Sequence, residues 1–172
     1  EPDGLDNLIG LPKLGLLDLS RNNMTELPTA LASLPTIKGL NLNRNDLKNA
    51  DFTPLTSLSL TLFSIEYNDI TVTPTAFAAM TSPLVLHLDG NPFNPVDMWP
   101  IAGWDQVSMI RLGHCGLTWA PFVGNMYPNL EMAFLNHNYL GAYVKTSLGQ
   151  ISLPGLKVLL VSFNDIDEFP SD

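Results

Sequence analysis

The stretch that decides the fold is residues 37–47, IKGLNLNRNDL, because its pattern returns 23 residues later in residues 60–70, LTLFSIEYNDI. Numbered from its first residue, each stretch has apolar side chains at positions 1, 4, 6 and 11 and an asparagine at position 9. Five further stretches align with these two: LGLLDLSRNNM (14–24), PLVLHLDGNPF (83–93), VSMIRLGHCGL (107–117), LEMAFLNHNYL (130–140) and LKVLLVSFNDI (156–166). A fixed period of this kind indicates a chain built from stacked, similar units.

Position 9 carries a polar residue that is suited to the interior of such a stack. The seven residues are Asn22, Asn45, Asn68, Asn91, Cys115, Asn138 and Asn164, and they lie 23, 23, 23, 24, 23 and 26 residues apart. A side-chain amide at this point can bond main-chain groups of the neighbouring units. We therefore predict that these residues form a structural ladder, since buried backbone groups left unpaired there would cost about 1–3 kcal/mol each.

The pattern L-x-x-L-x-L-x-x-N/C-x-L resembles the leucine-rich-repeat family across nearly the whole chain, without assigning a subfamily. The resemblance implies an α/β solenoid shaped as a horseshoe, with a parallel β-sheet on the concave face and short helices, 3-10 turns and loops on the convex face. Alternation at positions 4 and 6 also predicts strands near residues 14–20, 37–43, 60–66, 84–89, 107–113, 130–136 and 156–162. We interpret residues 1–172 as one domain, in which residues 1–13 are a partial N-terminal repeat or a cap.

Composition excludes several classes of partner. The formal net charge is -9 with only 8 Lys and Arg residues, which argues against binding to nucleic acid or to anionic lipid. No uninterrupted apolar run approaches the roughly 18 residues of a membrane span, so we expect no direct membrane insertion. The sequence has no glycine-rich phosphate loop, no G-x-S-x-G and no H-E-x-x-H motif, and we expect no cofactor.

The outward positions 5, 7 and 8 indicate where a partner would bind, because the resemblance implies ligand binding on the concave face. Aromatic, histidine and apolar residues concentrate in the last three repeats, and such residues are enriched at interface cores. The predicted binding residues are His87, Arg111, His114, Phe134, Asn136, His137, Leu160 and Phe163, with Tyr67 and Glu66 beside them. An alternative stays open, in which Phe134, Leu160 and Phe163 are covered by a missing repeat or cap.

Two features could indicate chemistry, and each has a simpler interpretation. His114 and His137 share position 8 in adjacent repeats, but too few further ligands lie near them, so we predict no metal site. Ordinary polar surface is favoured there over a pH-dependent contact. The lone cysteine, Cys115, follows His114 and could form a catalytic dyad with it. The repeat instead places Cys115 inside and His114 outside, and a buried thiol should have a raised pKa and react slowly.

These observations predict a non-catalytic module that recognises a protein or peptide on its concave face. Glu66 and Asp89 offer no enzyme site, because carboxylates on an open sheet should lack the burial that tunes a general acid. A surface or secreted location is favoured, and Asn23 begins the only N-x-S/T sequon. Alternatives are the ectodomain or sensor fragment of a larger receptor, such as a receptor kinase, and a cytoplasmic adaptor or regulatory subunit. The ligand and the oligomeric state stay undecided.

Overall fold

Seven short parallel strands organise this protein. The computed structural model describes residues 2–80, 82–93, 104–122, 127–143 and 153–168. The strands are β1 (Leu16–Asp18), β2 (Gly39–Asn41), β3 (Leu62–Ser64), β4 (Val85–His87), β5 (Met109–Arg111), β6 (Met132–Phe134) and β7 (Val158–Leu160). They pair in chain order from β1 to β7 in one sheet, and each strand lies inside one of the stretches that the repeat predicts.

The register of the sheet keeps equivalent repeat positions side by side. Leu17 at position 4 pairs with Leu40, which pairs with Phe63, and the alignment continues to Leu159 in β7. The longer spacing before Asn164 leaves the register of β6 and β7 unchanged, so its extra residues are accommodated between the strands. This regularity matters because a slip of one residue would turn the apolar positions outward.

Short 3-10 helices lie before β1 and between several pairs of consecutive strands. They are η1 (Pro2–Leu8), η2 (Thr29–Ser33), η3 (Thr53–Ser57), η4 (Thr75–Ala79) and η5 (Leu140–Tyr143), and no α-helix occurs among the described residues. Pro28 and Pro74 immediately precede η2 and η4, and Pro54 lies in the first turn of η3. Proline fixes the backbone for a helix start. The fold is the leucine-rich-repeat horseshoe that the sequence predicts, with the sheet on its concave face.

The core fills the space between the sheet and the 3-10 helices. Inward side chains such as Leu40, Leu42 and Ile110 are fully buried. Behind them, Phe77 meets Phe63 edge to face, with ring centroids 5.4 Å apart. Trp104 donates its Nε1 hydrogen to the carbonyl of Phe77 at 3.0 Å, so the buried indole keeps a hydrogen-bond partner.

The residues at position 9 form a hydrogen-bonded ladder through the core. Asn138 is typical: its Oδ1 accepts from the backbone N–H groups of Cys115 and Leu117, each at 3.0 Å. Its Nδ2 donates at 2.8 Å to the carbonyls of Leu112, in the preceding repeat, and Leu135, in its own. Because each amide after that of Asn22 joins two repeats, the ladder satisfies backbone groups that the turn would otherwise leave unpaired.

Candidate recognition surface on the concave face

The turn that follows each strand aims one side chain in the same direction in every repeat. Position 8 has a left-handed backbone throughout, with φ between 54° and 70°. The seven residues are Arg21, Arg44, Tyr67, Gly90, His114, His137 and Phe163. A left-handed conformation costs roughly 1–2 kcal/mol for a residue with a Cβ, so the array imposes this geometry against local preference. It lines up the position 8 side chains at the spacing of the strands.

Three rings of this column stack into a continuous structure, named here the aromatic stack. The rings of His114 and His137 lie 4.1 Å apart with 12° between their planes. Those of His137 and Phe163 lie 4.2 Å apart with 8° between their planes. Phe163 is 73% exposed, so the stack ends in an accessible phenyl ring.

Apolar and cationic side chains on β5 to β7 flank the aromatic stack. The Arg111 guanidinium lies 5.7 Å from the ring centroid of Phe134. Phe134 is paired in register with Leu160, which is 43% exposed. We call His114, Phe134, His137, Leu160 and Phe163 together the C-terminal patch. The structure brings these five predicted residues onto neighbouring strands and turns of one face.

A separate pair occupies the same column nearer the N-terminus. The Arg44 guanidinium lies 4.5 Å from the centroid of the Tyr67 ring. The other neighbour of Tyr67 is Gly90, where an added Cβ would overlap the tyrosine ring. Gly90 thus gives Tyr67 room to lie flat. It also separates Tyr67 from the aromatic stack, so Tyr67 is not part of the C-terminal patch.

The centre of the concave face is a polar cluster around Asp89. Its Oδ2 accepts from Nε of Arg111 at 2.9 Å, and its Oδ1 accepts from the backbone N–H of Gly113 at 2.6 Å. Glu66 Oε1 lies 3.9 Å from both His87 Nδ1 and Arg111 Nε. Asp89 therefore fixes the guanidinium of Arg111 while Glu66 and His87 lie beside it. No group of three or more residues that could hold a metal ion occurs in the part of the chain that the structure describes.

Burial shifts two protonation equilibria in this cluster. Burial raises the pKa of Glu66, and the nearby charge of Asp89 raises it further, against the opposing charges of Arg111 and Arg44. Burial also lowers the pKa of His87, and Arg111 acts in the same direction, while Asp89 opposes the change. Both shifts favour the neutral form of the side chain. Hence the charge of this surface depends on its packing as well as on its composition.

The expectation that Glu66 and Asp89 lack burial is wrong. The Asp89 side chain is only 8% exposed, and that of Glu66 is 19% exposed. The physical reason is the absence of a side chain at Gly113, the equivalent position in the next repeat. Asp89 folds into that space and bonds the Gly113 backbone. The signal in the sequence was a carboxylate at position 7, Asp89, followed by a glycine at position 7 of the next repeat, Gly113.

Asparagine and serine side chains extend the polar surface toward the N-terminus, and the sequence prediction omitted them. Asn43 Oδ1 accepts from the Glu66 backbone N–H at 2.7 Å and from the Ser64 hydroxyl at 2.8 Å. Asn43 Nδ2 donates to Glu66 Oε2 at 3.2 Å. At the other end, the predicted residue Asn136 accepts from the Ser162 hydroxyl at 3.2 Å. Asn43 therefore orients Glu66 from the side opposite His87.

Cys115 and His114 lie on different sides of their turn. Cys115 is 1% exposed, and its thiol faces the carbonyls of Gly113 at 3.3 Å and Leu88 at 3.5 Å. Burial raises the pKa of this thiol to about 12. His114 is exposed and stacks on His137. The two side chains therefore make no nucleophile and base pair.

Comparisons with known proteins agree on the fold. The chain is similar over its full length to the crystal structure of an internalin (inlF) from Listeria monocytogenes, with a TM-score of 0.61 and 25% identity. It is also similar over 85% of its length to internalin C2 from the same organism, with a TM-score of 0.54 and 21% identity. The chain spans 53% of the first of these proteins and 80% of the second. No protein-family model matches the chain, and no curated protein does.

The repeat, the sheet and these structures together identify the class. The chain folds as a leucine-rich-repeat solenoid of the kind seen in internalins. Such a fold suggests a protein-interaction module. Within the described residues, the helices are all too short to cross a lipid bilayer.

Proposed function

We propose that this protein is a non-catalytic recognition module that binds a protein or peptide on its concave face. The observation that carries the proposal is the aromatic stack, which ends in a Phe163 ring that is 73% exposed. Leu160 adds a second exposed apolar side chain in the same repeat. Aromatic and apolar residues that gather on one face supply most of the energy at protein interfaces.

The polar cluster supplies the orientation that an apolar patch lacks. Arg111 borders both surfaces, since its Nε is bonded to Asp89 and its guanidinium lies over Phe134. Its side chain is 44% exposed, so a partner can reach it. Fixed charges beside an apolar anchor select the partner and its register more than they raise affinity. A ligand would therefore contact the C-terminal patch and extend over Arg111 toward Glu66.

A surface or secreted location fits this proposal best. Asn23 is exposed, as is Thr25 two residues later, so the sequon is accessible. Expression through a secretory pathway, followed by a gel comparison with Asn23→Gln, tests whether a glycan is added. The receptor-fragment and intracellular-adaptor alternatives use the same face and differ only in context.

The test is to select ligands and then remove the C-terminal patch. Peptides selected from a displayed library on the immobilised chain supply a probe whose affinity is measured by titration. In one variant, Phe134, His137, Leu160 and Phe163 become serine. We expect this variant to bind at least about tenfold more weakly, since truncating interface anchors costs more than about 1.4 kcal/mol.

A matched variant distinguishes the effect of removing the C-terminal patch from the effect of removing exposed apolar side chains elsewhere. Val72, Leu84 and Tyr139 are 62%, 43% and 63% exposed and lie outside the C-terminal patch. Changing these three residues to serine should leave affinity within about twofold, because surface substitutions outside an interface have small effects. Unchanged affinity in the patch variant, or an equal loss in the matched variant, would refute the proposed face.

A further inference from the structure

A row of apolar side chains crosses the middle of the concave sheet at position 3 of the repeat. Leu62, Val85, Met109 and Met132 lie in β3 to β6, and the register pairs each of them with the next. We call these four residues the position 3 stripe. All four are partly exposed, although each of their strands already has a paired strand on both sides. The exposure of the stripe therefore belongs to the face of the sheet, since a repeat contacts only its neighbours.

The spacing and the chemistry of the position 3 stripe fit an α-helix better than an extended peptide. Parallel strands lie about 4.8 Å apart, which is close to the rise of about 5.4 Å for one helical turn. Side chains on one side of an extended segment recur only about every 6.6 Å. Met109 and Met132 add unbranched side chains, which adapt to the surface of a helix more readily than branched ones do.

The backbone of the sheet gives the same preference. Extended peptides gain affinity by bonding the free main-chain groups at the edge of a sheet. The main-chain groups of β3 to β6 instead bond one another, as when Met109 donates to Leu84 and Leu88 donates to Arg111. An extended peptide that crosses this face would leave its own backbone without partners. A helix satisfies its backbone internally and needs only an apolar surface on which to lie.

Beside the stripe, one carboxylate oxygen of Glu66 lacks a hydrogen-bond donor among the described residues. His87 Nδ1 and Arg111 Nε each lie 3.9 Å from Glu66 Oε1, beyond hydrogen-bond distance. Arg111 Nε is bonded to Asp89, and Asn43 bonds only the other oxygen, Oε2. Burial raises the pKa of Glu66 despite the opposing charges nearby, which agrees with a negative charge that its neighbours compensate incompletely.

Ser64 leaves an open path between the position 3 stripe and Glu66. Leu62, Ser64 and Glu66 occupy the outward positions 3, 5 and 7 of the same repeat. The short Ser64 side chain is bonded to Asn43 Oδ1 at 2.8 Å, and the residue is only 4% exposed. Four residues of extended chain span roughly 13 Å, and a helix is about 10 Å across. A helix on the stripe would therefore bring a long basic side chain on its flank within reach of Glu66.

From these features we propose that this face binds a cationic amphipathic helix of a protein partner, with its apolar side on the position 3 stripe and a Lys or Arg bonded to Glu66. The inference rests on the proposed function, since it takes the concave face as the recognition surface and adds the chemistry of the ligand. The formal net charge of -9 favours a basic partner. The helix runs across the strands from Leu62 to Met132, two residues before Phe134 of the C-terminal patch.

A displayed library of single helices, randomised along one side, supplies the probe. The tightest binder is made as a soluble peptide and titrated against the unmodified chain. It should carry apolar residues three and four positions apart with Lys or Arg on one flank, and its helical circular dichroism should increase on binding. A library of extended, hairpin-forming peptides is screened in parallel and should yield only weaker binders for this face.

Two variants test the two contacts of the helix. Val85→Thr combined with Met109→Gln makes the stripe polar while nearly keeping the size of the side chains, and it should weaken binding at least about tenfold. Glu66→Gln should weaken binding by about fivefold, in the range of an ion pair at a protein surface. It should also reduce the loss of affinity between low and high salt, because one of the screened charge pairs is gone.

Each variant has a matched control elsewhere on the chain. Val72, which is 62% exposed, lies outside the stripe, so Val72→Thr should bind as the unmodified chain does. Glu131 pairs with Lys157 at 2.7 Å, and Glu131→Gln removes one negative charge away from Glu66. This control should keep both the affinity and its salt dependence. Circular dichroism of every variant verifies that the fold is retained.

The outcomes separate this inference from the proposed function. Full affinity in the stripe variant, together with a loss when the C-terminal patch becomes serine, would overturn the helix and leave the proposed function intact. Loss in the stripe variant alone would support the helix and place recognition away from the C-terminal patch. The inference is also overturned by a helical library without binders, by binders that lack a basic flank, or by tighter binding of extended peptides at this face.

Discussion

At the scale of single residues, Cys115 shows how a repeat position determines chemistry. Its backbone N–H donates to Asn138 Oδ1, just as the backbone N–H of Asn68 donates to Asn91 Oδ1. Its thiol replaces an amide beside the same kind of carbonyls. The sequence predicted this environment because the neighbours of position 9 are the same in every repeat. The burial of Asp89 was missed because it depends on the space that Gly113 leaves in another repeat, and the pattern of a single repeat does not show that pairing.

The environment of Cys115 makes stability sensitive to alkaline pH. Burial raises the pKa of its thiol from 9.0 to about 12, so between these values the unfolded chain loses a proton that the folded chain keeps. The free energy of unfolding is therefore unaffected below about pH 9 and falls as pH rises through this window. By about pH 11 the thiol should account for a loss of roughly 2–3 kcal/mol.

Urea unfolding of the unmodified chain and Cys115→Ser, from about pH 8 to about pH 11, checks this expectation. The serine variant should lose roughly 2–3 kcal/mol less, because its hydroxyl does not ionise in this range. Tyr127, whose pKa burial raises from 10.0 to about 12, contributes to both proteins and cancels in the comparison. Identical pH profiles would show that the thiol is not shielded from water.

At the scale of elements, the turn after each strand decides what the concave face can display. The repeat pattern predicted seven stretches of extended chain, whereas each strand is three residues long. The backbone becomes left-handed at position 8, three residues after the strand ends. Periodicity marks which side chains point inward, but it does not reveal the left-handed turn that stacks His114, His137 and Phe163.

The turn after β4 allows a test of how closely neighbouring turns contact each other. Gly90 and Gly116 both have a φ of 70°, but only Gly90 lies against a ring, that of Tyr67. Gly116→Ala should cost about 1 kcal/mol, the penalty of a left-handed alanine. Gly90→Ala should cost roughly 2–3 kcal/mol, because its methyl group must also displace Tyr67.

Denaturant midpoints of the two alanine variants compare their costs in free energy of unfolding. Repeating Gly90→Ala without the tyrosine ring isolates the contribution of the contact with Tyr67. In a Tyr67→Ala background, Gly90→Ala should cost about as much as Gly116→Ala does, since only the backbone penalty is left. Equal costs for the two glycine variants in the unmodified background would mean that Tyr67 moves aside freely.

At the scale of the whole molecule, stability depends on position along the array, because a repeat contacts only its neighbours. The spacing of the anchors was sufficient to predict the parallel sheet and its order. The binding role of the C-terminal patch stays a prediction. Its residues could be chosen from the sequence because positions 5 and 8 recur, but the ring contacts depend on side-chain orientation. The polar cluster was incompletely predicted because its bonds cross three repeats.

The ladder allows a direct comparison along the array, because asparagine occupies position 9 both in the first repeat (Asn22) and in the sixth (Asn138). Asn138 bonds four backbone groups at 2.8 to 3.0 Å and is 3% exposed. Asn138→Ala leaves these groups unpaired away from water and should lower the free energy of unfolding by about 3 kcal/mol or more. Asn22→Ala should cost about 1 kcal/mol or less, because Asn22 is exposed and water can replace its bonds. Urea unfolding measures both values, and similar costs would contradict a ladder whose contribution depends on its neighbours.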